Sequence, residues 1–156
     1  MAKVKTILFA EDDQVLMEVY RKHLQRSGYH VVPALDGLET LKYLSIFVPD
    51  LLILDLMMPK FDGEELLRFI CTTPRLANLP LFILSSNSII FADQEHLLQR
   101  AEKYLIKQSC TPAILVRAIQ EQFNGPLEAT PAHKPVSSHD PSPNLGRVEL
   151  KLGSSY

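Results

Sequence analysis

Four short apolar runs in this chain each lead into residues able to do phosphate or metal chemistry. ILFA (Ile7 to Ala10) runs into Glu11-Asp12-Asp13, and LLIL (Leu51 to Leu54) into Asp55. LFIL (Leu81 to Leu84) runs into Ser85-Ser86, and YLI (Tyr104 to Ile106) into Lys107. Carboxylates packed together repel and call for a cation, and hard oxygen ligands with room for water suit Mg²⁺. A carboxylate can also attack phosphorus and form an aspartyl-phosphate. Lys107 and the Ser85 hydroxyl could then hold phosphoryl oxygens as charge redistributes in an in-line transfer. Each residue alone has a plain explanation: Asp13 as a helix N-cap, a serine after a strand as turn chemistry, a lysine as a solvated tip. Four such ends together favour the chemical reading.

The elements that must position these residues follow from periodicity. Val4 to Ala10 reads as a buried strand. Gln14 to Ser27 then places Val15, Leu16, Val19, Tyr20 and Leu24 on one helical face, with Gly28 as the stop. His30 to Ala34 reads as a strand whose Pro33 lacks the N–H of a central ladder and so belongs at a sheet edge. Leu38, Leu41 and Leu44 mark a second helix. Leu51 to Asp55 is a continuous apolar strand of the kind buried on both faces. Glu64 to Cys71 forms a third helix, with two acids in its first turn where the dipole favours them. Leu81 to Ser85 is a fourth strand, Asp93 to Ala101 a fourth helix, and Tyr104 to Lys107 a fifth strand. Thr111-Pro112 opens a last helix that runs to about Phe123. Strands alternating with helices predict an α/β fold, a doubly wound five-stranded parallel sheet with helices on both faces. The order 2-1-3-4-5 puts the functional crevice outside the carboxyl ends of strands 1 and 3.

Composition sets the bounds. The chain has 156 residues, 46% of them hydrophobic, with 16 basic and 18 acidic side chains. This balance argues against nucleic acid as the main partner, since nucleic-acid-binding domains are usually clearly basic. No apolar run approaches the ~18 residues of a membrane span. The opening MAKVKTILFAEDD is basic and then apolar, but it ends in three acids rather than at a small-residue cleavage site. Cys71 and Cys110 make neither a disulfide framework nor a metal-ligand spacing, which suits a cytoplasmic setting. Residues 1–124 form the expected domain. Residues 125–156 form a tail whose Pro- and Ser-rich part, Gly125 to Asn144, is too poor in large apolar residues to fold alone. Arg147 to Leu152 (RVELKL, 147–152) alternates at the period of a short edge strand.

ILFAEDD (Ile7 to Asp13), LLILDLMMPKFDG (Leu51 to Gly63), LFILSS (Leu81 to Ser86) and YLIK (Tyr104 to Lys107) together resemble the receiver domains of two-component response regulators, which are flavodoxin-like. The resemblance covers Lys5 to Phe123 and is most specific from Asp55 through Met58-Pro59 to Asp62-Gly63. It implies that Asp55 is the phospho-acceptor and that Glu11 and Asp12 hold Mg²⁺, with the backbone carbonyl of Met57 as a further ligand. It makes Lys107 the phosphate-binding lysine and Ser85 the switch hydroxyl, beside Ser86. Tyr104 becomes the aromatic that turns inward on activation, and Pro59 and Gly63 shape the loop after Asp55. Asp13 caps a helix first and serves the site second.

The implied partners are a sensor histidine kinase or a histidine phosphotransfer protein, and a downstream protein. The downstream protein would dock on the face of the fourth helix, fifth strand and last helix. The resemblance leaves room for a homodimer. The chemistry is self-catalysed phosphoryl acceptance and loss, a signalling switch rather than an enzyme in the usual sense. A stand-alone regulator with a disordered extension is expected; a linker cut from a longer protein and an added edge strand are the other readings of the tail. A phosphorelay intermediate and a non-phosphorylated docking module are the alternatives.

Several residues depart from the family pattern. Gln108 stands where the family usually has a proline after the lysine in a cis peptide. A cis bond before glutamine costs ~2.5–4 kcal/mol, so a trans path and a shifted Lys107 are expected. Ser85 replaces the commoner threonine, and Ala101-Glu102-Lys103 replaces a Gly-Ala-Asp-Asp stretch. Ile89, Ile90 and Phe91 are unusually apolar, either core residues or a docking patch.

Overall fold

The computed structural model describes residues 3–86 and 99–125. Its elements are β1 (Thr6–Ala10), α1 (Gln14–Arg26), β2 (His30–Ala34), α2 (Gly37–Ile46), β3 (Leu51–Leu54) and α3 (Gly63–Thr72). A single 3₁₀ turn (Pro74–Leu76) precedes β4 (Leu81–Ser85) and β5 (Lys103–Ile106), and the last helix is α4 (Pro112–Asn124). The five strands are parallel in the order β2-β1-β3-β4-β5, the expected doubly wound architecture. Pro33 sits in the edge strand β2 opposite Phe9, where its missing N–H is lost to no second neighbour.

Strand sequence explains the two-layer core. Side chains alternate across a sheet, so Leu8, Ala10, Leu52, Leu54, Leu81 and Ile83 share one cluster with Leu44 of α2 and Leu66 and Ile70 of α3. Ile7, Phe9, Leu51, Ile53, Phe82 and Leu84 share the other with Tyr20 and Leu24 of α1 and Leu115 and Ile119 of α4. All of β3 and β4 is buried, as continuous apolar runs require.

Helix ends follow local chemistry. Asp13 caps α1 by accepting from the amides of Val15 and Leu16. Asp36 caps α2, Asp62 caps α3 and Thr111 caps α4. Gly28 has φ +90°, and the Tyr29 amide returns to the Leu24 carbonyl, which closes α1 as the sequence predicts.

Five expectations need correction or fall outside the described residues. The buried stripe of α1 is Met17, Tyr20 and Leu24, whereas Val15 and Val19 are exposed. At roughly 100° per residue, Val15 lies almost opposite that stripe. β5 begins at Lys103 and ends at Ile106, so Lys107 stands one residue past the strand. Residues 99–101 are not helical, and the rest of the helix expected at 93–101 lies outside the described residues. So do Ile89, Ile90, Phe91 and the strand expected at 147–152. No described helix is long and apolar enough to cross a membrane.

Candidate functional site

Strand register brings the chemical residues to one rim. Ala10 pairs with Leu54, and the ladder continues as the Asp55 amide donates to the Ala10 carbonyl at 3.0 Å. On the other side of β1, the Glu11 amide donates to the Ala34 carbonyl at 3.0 Å. Glu11 and Asp55 are therefore neighbours at the carboxyl ends of adjacent strands. Both are buried, at 0% and 2% exposure. Asp12 is exposed beside them, and one carboxylate oxygen from each of Glu11, Asp12 and Asp55 falls within a 4.8 Å cluster.

Lys107 closes the site from the far side. Its ammonium lies 2.7 Å from Asp55 Oδ2 and 2.6 Å from Glu11 Oε2. Desolvation opposes its charge, but its close approach to the two acids, Asp55 and Glu11, outweighs it and raises its pKa above the usual lysine value. Burial has the larger say at Glu11. It raises that carboxyl above its usual range despite Lys107 and the Asp13 amide, which donates to Oε1 at 3.0 Å. Among the described residues, Glu11 Oε2 is fully buried and receives no directed hydrogen bond, meeting Lys107 as an ion pair. A buried carboxylate oxygen left in this state, with two further carboxylates close by, suits a hard divalent cation.

The remaining predicted residues frame this centre. The Met57 amide donates to Asp55 Oδ1 at 2.9 Å, folding the loop after Asp55 back on the carboxylate. Ser85 is fully buried at the end of β4, and its carbonyl accepts from the Lys107 amide at 2.9 Å. Tyr104 pairs with Ile83 in register, so its side chain leaves the sheet on the same face as Ser85. It is 37% exposed. No cis peptide occurs among the described residues, so the Lys107-Gln108 bond takes the expected trans path. Along that path the Lys107 ammonium meets both acids.

Other residues shape the site without announcing themselves in the sequence. Lys60 has φ +70°, unusual for a side-chain-bearing residue, and its ammonium meets the α2 cap Asp36 at 2.7 Å. A Cβ on Gly37 would stand 2.5 Å from that of Phe61, so the loop after Asp55 lies directly against the start of α2. A Cβ on Gly63 would stand 2.6 Å from the Leu56 carbonyl. The Asp36-Gly37 pair is the one local signal, a turn dipeptide whose aspartate also caps a helix. Tyr20 reaches the loop that carries Lys107, and Gln108 ties that loop to Ser86; no local pattern reveals either link.

The family model described as "Response regulator receiver domain" matches residues 7–120. The chain is 32% identical over 153 residues to response regulator GtcR of Aneurinibacillus migulanus, covering 94% of this chain and 58% of that protein. It is 35% identical over 105 residues to the alkaline phosphatase synthesis transcriptional regulatory protein PhoP of Bacillus subtilis, covering 66% and 42%. The chain thus spans about half the length of the curated relatives it matches. Among solved structures, a putative response regulator from Chloroflexus aurantiacus aligns with TM-score 0.67 at 30% identity, over 76% of this chain and 97% of that one. Response regulator TrrA from Thermotoga maritima, in complex with Mg²⁺-BeF, aligns with TM-score 0.66 at 27% identity, over 76% and 98%.

Proposed function

Because this chain belongs to the response-regulator receiver family, we propose that it accepts a phosphoryl group on Asp55 from a phosphohistidine. The donor is a sensor histidine kinase or a histidine phosphotransfer protein. The observation that carries this reading is the position of Lys107, whose one ammonium meets both buried carboxylates, Asp55 and Glu11.

An Asp55 carboxylate oxygen attacks phosphorus, the P–N bond to the donor histidine breaks, and the imidazole nitrogen leaves with the electron pair and takes a proton. The Met57 amide and Lys107 hold the Asp55 carboxylate by separate oxygens, so its orientation is set before the donor arrives. Transfer adds about −1.5 to −2 charges to the site. Lys107 can follow that charge from the carboxylate to the phosphoryl oxygens. Glu11, Asp12 and Asp55, with the Met57 carbonyl, would hold Mg²⁺, which when bound supplies positive charge to acceptor and phosphoryl oxygens alike.

Phosphorylation then acts by population shift between two packings. Ser85 moves to donate to a phosphoryl oxygen, and Tyr104, on the same sheet face, turns inward into the space released. The surface that changes includes β5, where Tyr104 and Ile106 are both exposed, and a downstream protein reads it there. The protein works as a switch, one turn per phosphoryl group.

Phosphotransfer from a purified, phosphorylated histidine donor tests the reading. Label should leave the donor and appear on this chain in the wild type but not in Asp55→Asn. Label retained on every donor tried would refute the acceptor role. A Ser85→Ala or Tyr104→Ala protein whose partner affinity still responds normally to phosphorylation would refute the coupling.

A further inference from the structure

Lys107 stands outside β5 on a three-residue turn, 107–109, that contains no proline to stiffen it. Something must nevertheless hold its ammonium within 2.7 Å of two buried acids. The turn closes on Cys110, whose amide donates to the carbonyls of Ile106 at 2.9 Å and Lys107 at 3.3 Å. The Cys110 carbonyl in turn accepts the hydroxyl of Tyr20, a residue 90 positions away on α1. Tyr20 is 2% exposed, and its ring lies against Phe9 of β1, with centroids 5.5 Å apart. Burial, and after it the neighbouring Cys110 side chain, push its pKa well above the tyrosine range, so it stays a donor. On the other side, the Gln108 side-chain amide donates to the Ser86 carbonyl at 2.8 Å.

We infer that Tyr20 and Gln108 are positioning residues for Lys107. Tyr20 ties the turn to the element that begins directly after Glu11-Asp12-Asp13, and Gln108 ties it to the end of β4. The two links approach the turn from different elements, α1 and the end of β4, so together they restrict both its height and its tilt over Asp55. Tyrosine is needed where phenylalanine would pack equally well, because only the hydroxyl reaches the Cys110 carbonyl. This inference rests on the phospho-acceptor reading for its catalytic consequence but not for its structural one.

Two readouts test it on Tyr20→Phe, Gln108→Ala and the wild type. One is the rate of phosphoryl uptake from acetyl phosphate with Mg²⁺, measured also in a Lys107→Ala background. The other is acylation of the Lys107 amine by an N-hydroxysuccinimide ester, read by peptide mass relative to exposed Lys22 and Lys42. Each variant should slow uptake on the order of tenfold, as misplacement of a catalytic group does, and should do so only where Lys107 is present. Each should also raise Lys107 acylation several-fold. Unchanged Lys107 acylation in the folded variants, or equal slowing in the Lys107→Ala background, would overturn the inference. A wild type that takes no phosphoryl group would defeat the proposed function instead, and the acylation arm would still decide this question. Gln108 is exposed, so its variant keeps the test alive should Tyr20→Phe fail to fold.

Discussion

Lys107 and Asp55 meet at 2.7 Å although β4 lies between the strands that they follow, β5 and β3. Strands two places apart in a sheet are separated by roughly 10 Å, a gap that only a long side chain closes. Ser85, at the end of the intervening strand, is short and buried, which leaves the way clear. The same ammonium reaches Glu11 at 2.6 Å, so one cation balances two acids that would otherwise repel at the carboxyl ends of β1 and β3.

Glu11→Gln should stabilise the protein at neutral pH in the absence of divalent cations. Burial raises the Glu11 pKa in the folded state, so the folded chain favours the protonated form. Stability from this group is fully present below its ordinary value of 4.5 and is lost as pH rises through the folded value. Gln mimics the protonated acid at every pH, while Lys107 keeps Asp55 as a partner. Denaturant titrations at pH 7.5 should favour Glu11→Gln by about 1 kcal/mol, and the gain should vanish below pH 4.5. A variant less stable than wild type at pH 7.5 would contradict this account.

Asp50 should matter to register rather than to chemistry. Its carboxylate accepts the Thr6 amide at 2.8 Å and meets Lys5 at 3.2 Å, fixing the start of β3 against the start of β1. Desolvation works against ionised Asp50, but the Thr6 amide and Lys5 outweigh it and leave its pKa below the ordinary 3.8. A depressed folded pKa contributes stability above 3.8 that is lost as pH falls through the folded value. Asp50→Ala should cost about 1–2 kcal/mol at neutral pH, with phosphoryl uptake unaffected. Its gap to wild type should narrow below pH 3.8, and a gap constant down to pH 2 would count against the ionic part of this argument.

Two glycines should separate stability from function. Alanine at Gly63 drives a Cβ to 2.6 Å from the Leu56 carbonyl, next to Asp55. It should cost about 1–3 kcal/mol and slow phosphoryl uptake, because the backbone beside the acceptor must move. Gly28 has φ +90°, and beyond its chain neighbours no atom of the described residues lies within 4 Å of where a Cβ would stand. Alanine there should cost about 1 kcal/mol through backbone strain and leave uptake unchanged. Equal uptake by both variants would show that the close approach at Gly63 does not tune the acceptor loop.

Much of this architecture is legible in the sequence because its strands are buried on both faces. LLIL and LFIL leave little doubt about β3 and β4, and the polar residue that ends each run marks the rim. β5 is harder to read. At a sheet edge it tolerates Lys103, whose ammonium pairs with Glu121 of α4 at 2.8 Å, so the strand starts one residue earlier than its apolar pattern suggests. On α1, Met17 rather than Val15 faces the core, since several apolar residues on a short helix permit more than one stripe. The 3₁₀ turn at Pro74–Leu76 follows the Thr73-Pro74 pair and delivers Leu76 to the core. Contacts such as Tyr20 with Cys110 or Lys60 with Asp36 are set by tertiary geometry, and no local spacing encodes them.

The most direct measurement is the intact mass of wild type and Asp55→Ala after incubation with acetyl phosphate, with and without Mg²⁺. A labile gain of one phosphoryl group is expected on wild type alone, and only with the metal present. An equal gain on Asp55→Ala, or no gain on wild type from acetyl phosphate or a phosphorylated histidine donor, would contradict it.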